Sequence, residues 1–265
     1  MKIGIIYKEE DKLILGTAKK VISELKALGH KATVLNEAQR LQNVQFVITF
    51  GGDGTILRAA RIVCKKNIPI LPVHLGGLGL LTEISITEIE RAVKLIQEKK
   101  YHLDSRMMLE ALVLKNNKIL KSSIALNDVV IGKSSIARTI KLEAFAGGKS
   151  IANYVGDGLV ISTPTGSTAY NFAVNGPIIP PQGKSYIISP ICPHRAANRS
   201  IVLDEPVLIK IQKGDETLMT IDGQEIFKLD KDEIIKIQKS RYKTDFIRLK
   251  EYNIWELLRS KLGWG

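Results

Sequence analysis

The sharpest chemical signal in the sequence is a glycine-rich turn that carries a carboxylate. The run Gly51-Gly52-Asp53-Gly54-Thr55 follows an apolar stretch at 44–50 and precedes a helical pattern. Glycines let the backbone approach a phosphate closely, and the first turn of a helix offers unpaired N–H groups to an anion. A carboxylate there repels phosphate, so Asp53 is expected to deprotonate a hydroxyl group or to help hold a metal ion. A tight turn in which Asp53 only caps the helix stays open as the alternative.

A second stretch places many hydroxyl groups beside a short apolar strand. Residues 156–170 read Gly-Asp-Gly-Leu-Val-Ile-Ser-Thr-Pro-Thr-Gly-Ser-Thr-Ala-Tyr. Hydroxyls and backbone amides at a strand end suit phosphate or ribose oxygens, and Tyr170 can pack on a base. A Thr/Ser-rich turn that ends a strand fits the same residues, so the stretch alone only suggests a nucleotide site.

Two shorter features point in the same direction. Asn127-Asp128 can hold a vicinal diol, although an Asx turn between strands is the commoner explanation of such a pair. Residues 76–82, Gly-Gly-Leu-Gly-Leu-Leu-Thr, follow a predicted strand at 68–73 and form a second glycine-rich turn. Ligands of open α/β sheets bind at the carboxyl ends of the strands, so two such turns indicate a nucleotide-sized cleft.

A parallel sheet is needed to position these turns, and the first 100 residues predict one. Strands are expected at 2–7, 31–35, 44–50 and 68–73, and helical stripes alternate with them. The nearly unbroken apolar run at 44–50 suits a strand covered on both faces. Thr87-Glu88-Ile89-Glu90 predicts a capping box at the start of a helix. The pattern indicates a three-layer α/β domain over residues 1–100.

The pattern changes after residue 100. Apolar and polar residues largely alternate, with turn signals at Asn116-Asn117, Gly147-Gly148 and Asp222-Gly223. Such segments predict an antiparallel all-β domain over residues 101–250. Residues 251–265 return to a helical pattern, expected to pack back on the first domain. Because no linker separates the domains, the predicted site lies in a cleft between them.

Composition fits an ordinary globular protein: the 265 residues are 45% hydrophobic and 25% charged, with a net charge of +12. The positive charge favours polyanionic partners but does not select among nucleotides, nucleic acids and acidic membranes. Two cysteines and four histidines, widely spaced, do not predict a structural zinc site. A short apolar N-terminus and the lack of a long apolar run predict a cytoplasmic protein with no membrane partner.

Taken together, these segments closely resemble the NAD kinase family over nearly the whole chain. The glycine turn at 51–55, Asn127-Asp128 and the stretch 156–170 occur in that family's order and spacing. So do Leu78-Gly79-Leu80-Leu81-Thr82-Glu83 and Lys261-Leu262-Gly263-Trp264. The first turn alone is shared with diacylglycerol-type lipid kinases and phosphofructokinases, whereas the stretch ending at Tyr170 is far more specific.

The resemblance implies transfer of a phosphoryl group to the 2′-hydroxyl of the adenosine ribose of NAD, giving NADP. ATP is the usual donor, and the divalent cation is usually Mg²⁺. Asp53 matches the general base, Asn127 and Asp128 would hold the adenosine part, and Asp157 would lie near the other end of the dinucleotide. The remaining matched binding positions are Gly54, Arg138, Thr165, Thr168, Ala169, Tyr170, Asn171, Phe172, Ala173 and Gln224. The resemblance also implies a homo-oligomer in which subunits share the site.

Two positions depart from the family pattern. His74 stands where many members have Asn, and Val155 stands where many have a basic residue. The departure at Val155 puts one phosphate or nicotinamide contact in doubt, and neither departure touches Asp53. The resemblance leaves open whether polyphosphate replaces ATP, whether NADH is accepted, whether NADP(H) inhibits, and whether the oligomer is a dimer or a tetramer.

Two rival functions come from other classes. A lipid kinase would need an apolar groove or a membrane-docking surface, and the polar stretch 162–170 speaks against it. A nucleic-acid-binding protein would fit the net charge of +12. However, the basic residues are dispersed and no recognised nucleic-acid-binding module is found, so no nucleic-acid partner is predicted.

Overall fold

The computed structural model describes residues 1–8, 12–35, 41–76, 79–134, 138–214, 216–251 and 253–263. Gly77, from the second glycine-rich turn, lies outside the described residues, and so do Leu78 and Trp264, which carry part of the family resemblance. The chain divides into two compact units: Met1–Arg106 with Tyr242–Gly265 form unit 1, and Met107–Arg241 form unit 2. The chain therefore passes from one unit to the other twice.

The helices and strands follow one another along the chain in a fixed order. They are β1 (Lys2–Tyr7), α1 (Lys12–Ala27), β2 (Lys31–Val34), β3 (Phe46–Phe50), α2 (Asp53–Val63), β4 (Ile70–His74), β5 (Ile84–Ser85), α3 (Ile89–Gln97), β6 (His102–Lys115), β7 (Lys118–Ala125), β8 (Asp128–Lys133), β9 (Ile140–Ala146), β10 (Lys149–Gly156), β11 (Gly158–Ser162), α4 (Tyr170–Ala173), β12 (Tyr186–Ile191), β13 (Ile201–Leu203), β14 (Val207–Lys213), β15 (Thr217–Ile221), β16 (Glu225–Leu229), β17 (Ile234–Arg248) and α5 (Ile254–Leu262).

Unit 1 contains the predicted parallel sheet. Its strands lie in the order β2-β1-β3-β4, every neighbouring pair is parallel, and β5 and the end of β17 join β4 in parallel. Side chains of α1 and α3 share a core with alternate residues of β1 such as Ile3 and Ile5. The buried residues of α2 lie outside that cluster, so α2 covers the opposite face. The three-layer α/β prediction is confirmed.

The start of α3 differs from the sequence-based prediction. The capping box is formed by Ser85 and Glu88, whose carboxylate accepts the Ser85 N–H at 2.9 Å, and not by Thr87 and Glu90. A 3₁₀ turn over Ile86–Glu88 then leads into the helix. The prediction was wrong because residues 85–88 and 87–90 both fit the pattern Ser/Thr-x-x-Glu, and the pattern alone does not tell which pair forms the box.

Unit 2 is built from antiparallel strands. One six-stranded sheet has the order β13-β12-β11-β8-β15-β16, and a second set includes β10-β9-β14 and the first part of β17. Apolar residues of both sets, among them Ile131, Leu142, Ile161 and Ile209, form one buried cluster. The β-rich prediction is confirmed, and so is the C-terminal helix, which ends at Gly263 in the left-handed conformation.

Strands next to a strong turn signal were predicted correctly from the sequence, whereas one strand that contains proline was not. Asn116 and Asn117 both have positive φ and connect β6 to β7, as the predicted hairpin requires. Strand β12 was not predicted, since it contains Pro190, a residue that argues against an interior strand. No helix in the described part of the chain is both long enough and apolar enough to cross a membrane.

Candidate active site

The carboxylate of Asp53 lies at the junction of the two glycine-rich turns of unit 1. Asp53 is the first residue of α2, whose N-cap is Gly52, and no side-chain cap bond is made there. Its two oxygens instead accept the backbone N–H groups of Leu80 and Leu81, each at 3.3 Å. The capping alternative for Asp53 is therefore replaced by a different role: the carboxylate is held by the second turn. Exposed Gly54 follows it in the first turn of α2.

A glycine is required where the second turn meets this carboxylate. A Cβ placed on Gly79 would lie 2.5 Å from Oδ1 of Asp53, so a larger residue would displace the carboxylate. The Gly79 N–H donates to the Thr82 hydroxyl at 2.8 Å, which fixes the turn from its other side. Strands β3 and β4, which precede the two turns, are parallel neighbours. The prediction that the turns lie side by side is confirmed.

A buried network of charged groups supports the second turn. Arg248, fully buried, donates to the Leu81 carbonyl at 3.3 Å and to Glu83 at 2.9 Å. Its Nε donates to Asp104 at 3.2 Å, and Asp104 also accepts from Arg106 at 2.8 Å. Burial raises the pKa of Asp104, but the two arginines outweigh that effect and the net shift is downward. Reasoning from the sequence did not find this network, because Arg248 lies 144 residues from Asp104 and 167 residues from Leu81 in the chain.

In unit 2, Asp128 is the first residue of β8 and Asn127 directly precedes it. Three successive backbone N–H groups of this segment, those of Leu126, Asn127 and Asp128, donate to the carboxylate of Asp222 at 3.1, 2.7 and 3.2 Å. Within the described part of the chain, the side chains of Asn127 and Asp128 are not hydrogen-bonded to other protein groups. Both side chains are thus available to a ligand, and the Asx-turn alternative has no bond to support it.

The hydroxyl-rich stretch packs directly against this pair. The Thr163 N–H donates to the Asn127 carbonyl at 2.9 Å, and the Thr163 hydroxyl donates to the Leu126 carbonyl at 2.5 Å. A Cβ on Gly166 would overlap the Asn127 carbonyl oxygen, so this glycine allows the two segments to touch. The structure therefore brings together two segments that the sequence identified separately, and Thr165 lies buried at their junction.

Burial makes Asp128 an unusual carboxyl group. Desolvation, and secondarily the negative charge of Asp222, raise the pKa of Asp128 from 3.8 to about 7. Burial also raises the pKa of Tyr170, and the charges of Cys192, Asp157 and Asp128 add to that shift. Tyr170 nevertheless exposes 43% of its surface, as expected for a ring that packs on a ligand.

The other matched positions of the stretch differ in accessibility. Thr168, Ala169 and Phe172 are half-buried and Ala173 is exposed. Asn171 is fully buried, and its amide bonds to the carbonyls of Ser167 and Pro177 and to the Ser189 hydroxyl. Its side chain therefore holds the turn together, a structural role that the resemblance did not anticipate.

The remaining matched residues, Asp157, Arg138 and Gln224, lie outside the two segments that meet at Asn127 and Thr163. Asp157 is half-buried and forms an ion pair with Lys133, whose Nζ lies 2.7 Å from its carboxylate. Arg138 and Gln224 are exposed. Val155, the position without the family's basic residue, lies in β10 two residues before Asp157. Lys133 is thus the cation that accompanies Asp157.

Reasoning from the sequence missed Asp222 and Arg248. Asp222 was read only as a turn residue between β15 and β16, because the Asp-Gly pair is a strong hairpin signal. Its partners lie 94 to 96 residues away in the chain, so nothing local marks it as part of the site. Among the described residues, no group of three or more His, Cys, Asp or Glu side chains could hold a metal ion.

Two domain models match the chain and define its class. The model of the ATP-NAD kinase N-terminal domain matches residues 6–101, and that of the C-terminal domain matches residues 126–249. These matches define the chain as a phosphotransferase that consists of an N-terminal and a C-terminal kinase domain. It belongs to the NAD kinase family, as the resemblance in its motifs predicted.

Individual relatives agree with this assignment. An NAD kinase of Geotalea daltonii is 37% identical over 280 residues, covering 100% of this chain and 99% of the relative. One from Acetivibrio thermocellus is 35% identical, covering 99% and 97%. The crystal structure of an NAD kinase from Archaeoglobus fulgidus in complex with ATP matches with a TM-score of 0.79 and 26% identity, covering 99% of each chain. Yeast NADH kinase, complexed with NADH, has a TM-score of 0.90 at 21% identity over 100% of this chain and 88% of its own, and it supports the fold alone.

Proposed function

We propose that the chain is an NAD kinase that transfers the terminal phosphoryl group of ATP to the 2′-hydroxyl of the adenosine ribose of NAD, giving NADP and ADP. The observation that carries this proposal is the carboxylate of Asp53, fixed at the start of α2 by two backbone N–H groups. A carboxylate beside the phosphate-type turn of a kinase family member needs a chemical reason, and proton removal from the acceptor hydroxyl supplies one.

Asp53 is proposed as the general base. Each carboxylate oxygen has two lone pairs, and the N–H groups of Leu80 and Leu81 use one on each oxygen. A lone pair therefore remains for the proton of the 2′-hydroxyl. As that proton moves to Asp53, the ribose oxygen attacks the terminal phosphorus and ADP leaves. The two backbone N–H groups keep the carboxylate in one orientation, so the base is positioned before the substrate arrives.

Asn127 and Asp128 are proposed to hold the adenosine part of NAD. Their side chains project from a segment whose backbone is fixed by Asp222 on one side and by Thr163 on the other. Asn127 can donate and accept a hydrogen bond, whereas the ionised carboxylate of Asp128 accepts from ribose hydroxyls. Tyr170 would pack on a base, with Thr165, Thr168, Ala169, Phe172 and Ala173 around it. Gln224 is retained as a further candidate.

The opposite end of NAD is assigned to Asp157 with Lys133. The ion pair at 2.7 Å leaves this carboxylate partly neutralised, and the ammonium group offers a positive charge that Val155 lacks. Exposed Arg138 and the N-terminal turn of α2, which includes Gly54, are proposed to bind phosphate oxygens. Phosphoryl transfer depends mainly on such positioning and charge neutralisation.

Magnesium is proposed to enter as a complex with ATP. Mg²⁺ usually keeps several waters and binds through one or two carboxylates together with the substrate phosphates. The described residues offer no cluster of three metal-ligating side chains, which suits a cation carried by the nucleotide better than a resident one. Bound in this way, Mg²⁺ would neutralise charge on the transferred phosphoryl group.

We further propose that the enzyme works as a homo-oligomer in the cytoplasm. Unit 2 exposes apolar side chains that an isolated chain would leave in water: Ile119 on β7 is 60% exposed and Ile226 on β16 is 68% exposed. Contact between copies would cover them. Both described cysteines are unpaired, as expected for a reducing compartment. Light scattering coupled to size-exclusion chromatography measures the mass of the particle directly. A monomer would contradict the proposed homo-oligomer.

The activity is tested by incubating the purified protein with ATP, Mg²⁺ and either NAD or diacylglycerol. NADP is measured with an NADP-specific dehydrogenase, and lipid phosphate is measured in parallel. We expect NADP only, in an amount that depends on added Mg²⁺. Chelation should stop the reaction while leaving the melting temperature unchanged, because the cation arrives with ATP. Phosphorylation of diacylglycerol without formation of NADP would overturn the proposal.

A further inference from the structure

The carboxylate of Asp222 is committed to a segment on another strand. Asp222 follows β15 in the turn to β16, is only 7% exposed, and has a left-handed φ of 50°. Its oxygens accept the N–H groups of Leu126, Asn127 and Asp128 at 3.1, 2.7 and 3.2 Å. In return, the Asp222 N–H donates to the Asp128 carbonyl at 2.9 Å. Four hydrogen bonds thus join one turn residue to one short segment.

This arrangement differs from an ordinary Asx turn. A turn carboxylate normally accepts from N–H groups one or two residues further along the chain, whereas these partners precede Asp222 by 94 to 96 residues. Consecutive backbone N–H groups that converge on one point form an anion-binding concavity. Here the anion is a protein carboxylate, so the segment is fixed before any ligand arrives. The directions in which Asn127 and Asp128 project follow from that backbone.

We propose that Asp222 is a positioning residue of the NAD kinase reaction: its carboxylate fixes the segment 126–128 so that Asn127 and Asp128 hold the adenosine ribose. The inference rests on the proposed function of that pair. Asp222 itself bonds to backbone groups and is not assigned any contact with substrate. Loss of its carboxylate would therefore act on NAD binding through the orientation of two other side chains.

Burial and, to a smaller extent, the charge of Asp222 change the ionisation of Asp128. Asp222 faces Asp128 from the β15–β16 turn, Tyr170 faces it from α4, and the charge of Asp157 reaches Tyr170 as well. Burial, followed by the charge of Asp222, raises the pKa of Asp128 to about 7. Because ribose hydroxyls donate to the ionised form, NAD should bind more tightly as pH rises through about 7. Removing the charge of Asp222 should move that transition to lower pH.

The test compares Asp222→Asn with Glu233→Ala. Asparagine keeps the shape and tolerates a positive φ, but its Nδ2 donates where a carboxylate oxygen accepted. Glu233 is the matched control: it is 4% exposed and accepts the Asp230 N–H at 2.9 Å in the connection between β16 and β17. It makes the same kind of bond without contact to the segment 126–128. Binding of NAD is measured calorimetrically at several pH values, and steady-state kinetics give KM for NAD and for ATP.

We expect Asp222→Asn to weaken NAD binding about tenfold or more, a loss equal to about 1.4 kcal/mol. Its KM for ATP should change less than about twofold, and the pH midpoint of NAD binding should fall. Glu233→Ala should leave the NAD affinity, the KM for ATP and the pH midpoint of NAD binding unchanged at a temperature where the variant is folded. Unchanged NAD affinity and an unchanged midpoint in folded Asp222→Asn would overturn the inference, whereas a parent enzyme that forms no NADP would overturn the proposed function instead.

A measurement on the parent protein covers the case in which Asp222→Asn does not fold. Amide hydrogen exchange should show the N–H groups of Asn127 and Asp128 as protected as those inside β8, although Asn127 precedes that strand. Exchange at the rate of an open loop would mean that Asp222 does not hold the segment, and the inference would fail.

Discussion

Arg248 and Asp53 are connected through a single residue, Leu81. The guanidinium group of Arg248 donates to the Leu81 carbonyl at 3.3 Å, and the Leu81 N–H donates to Asp53 at 3.3 Å. Arg248 is fully buried and held by Glu83 and Asp104, so it cannot shift without breaking ion pairs. The orientation of the proposed base therefore depends on a cation from the far end of the sequence.

Replacing Asp53 by Asn should separate catalysis from structure. Asparagine has nearly the same shape and can still accept from one of the two N–H groups, but it cannot take the proton of the 2′-hydroxyl. We expect kcat to fall by about 10²–10⁴-fold while the melting temperature and NAD affinity change little. The measurement is NADP formation by the folded variant. Activity within a few-fold of the parent enzyme would remove Asp53 from the mechanism.

Glu83→Gln should disturb the orientation of Asp53 indirectly, through Arg248 and Leu81. Glu83 accepts from Arg248 and from the Leu249 N–H, each at 2.9 Å, and glutamine keeps the size but not the charge. Loss of one partner of a buried ion pair typically costs about 3–5 kcal/mol. Because Asp104 still neutralises Arg248, we expect the lower end of that range, together with a reduced kcat. Urea denaturation and NADP formation give the two quantities.

The matched control for that variant is Lys239→Gln. Lys239 pairs with Asp204 at 2.8 Å, and these side chains are 36% and 68% exposed to water, unlike the buried pair of Arg248. An exposed ion pair contributes at most about 1 kcal/mol, so stability and kcat should stay close to those of the parent. Equal losses in the two variants would show that the buried network has no special relation to Asp53.

Truncating Asp128 to Ala should weaken NAD binding. Loss of a hydrogen bond to a charged group typically costs about 1.5–3 kcal/mol, which corresponds to roughly 10- to 150-fold in affinity. Calorimetric titration with NAD measures the effect, and Asp204→Ala serves as a control at an exposed carboxylate of the same unit. If the folded Asp128→Ala variant bound NAD normally, Asp128 would have no part in holding the ribose.

Asp128→Asn should stabilise the ligand-free protein in a pH-dependent manner. The pKa of Asp128 is raised from 3.8 to about 7, so between those values the folded state binds more protons than the unfolded chain. Stability of the parent therefore falls as pH rises through that window, by about 1.4 kcal/mol for each unit of the pKa shift. The neutral amide lacks this penalty. Melting temperatures across the window should show the variant gaining on the parent as pH rises, and a constant difference would contradict the shifted pKa.

Local patterns in the sequence were sufficient for most of the helices and strands and for the strongest motif. The apolar run before Gly51 predicted a strand buried on both faces, and β3 is buried throughout. Two consecutive residues with turn preference, Asn116 and Asn117, located a hairpin. These features depend on neighbours in the chain, and such dependence is what propensity and periodicity record.

Interactions between distant residues could not be predicted in the same way. Asp222 meets its partners across more than 90 residues, and Arg248 meets Leu81 across 167. Resemblance to a family also does not distinguish contact with ligand from internal support: Asn171 stands in the matched stretch, yet its amide is bonded to protein on both sides. Only the three-dimensional arrangement separates these roles.

The double passage of the chain between its units has a consequence for the order of folding during synthesis. Unit 2 is one continuous segment, Met107–Arg241, so all of its residues are synthesised before Arg248. Unit 1 needs Phe246 beside Ile70 in the sheet and Arg248 behind Leu81. We therefore expect the later-synthesised β unit to reach its native state first, and the turn that carries Asp53 to become ordered only after translation has passed residue 248. Nascent chains stalled before and after that residue would differ in protease resistance of the first 100 residues, which makes the orientation of the base one of the last events of biosynthesis.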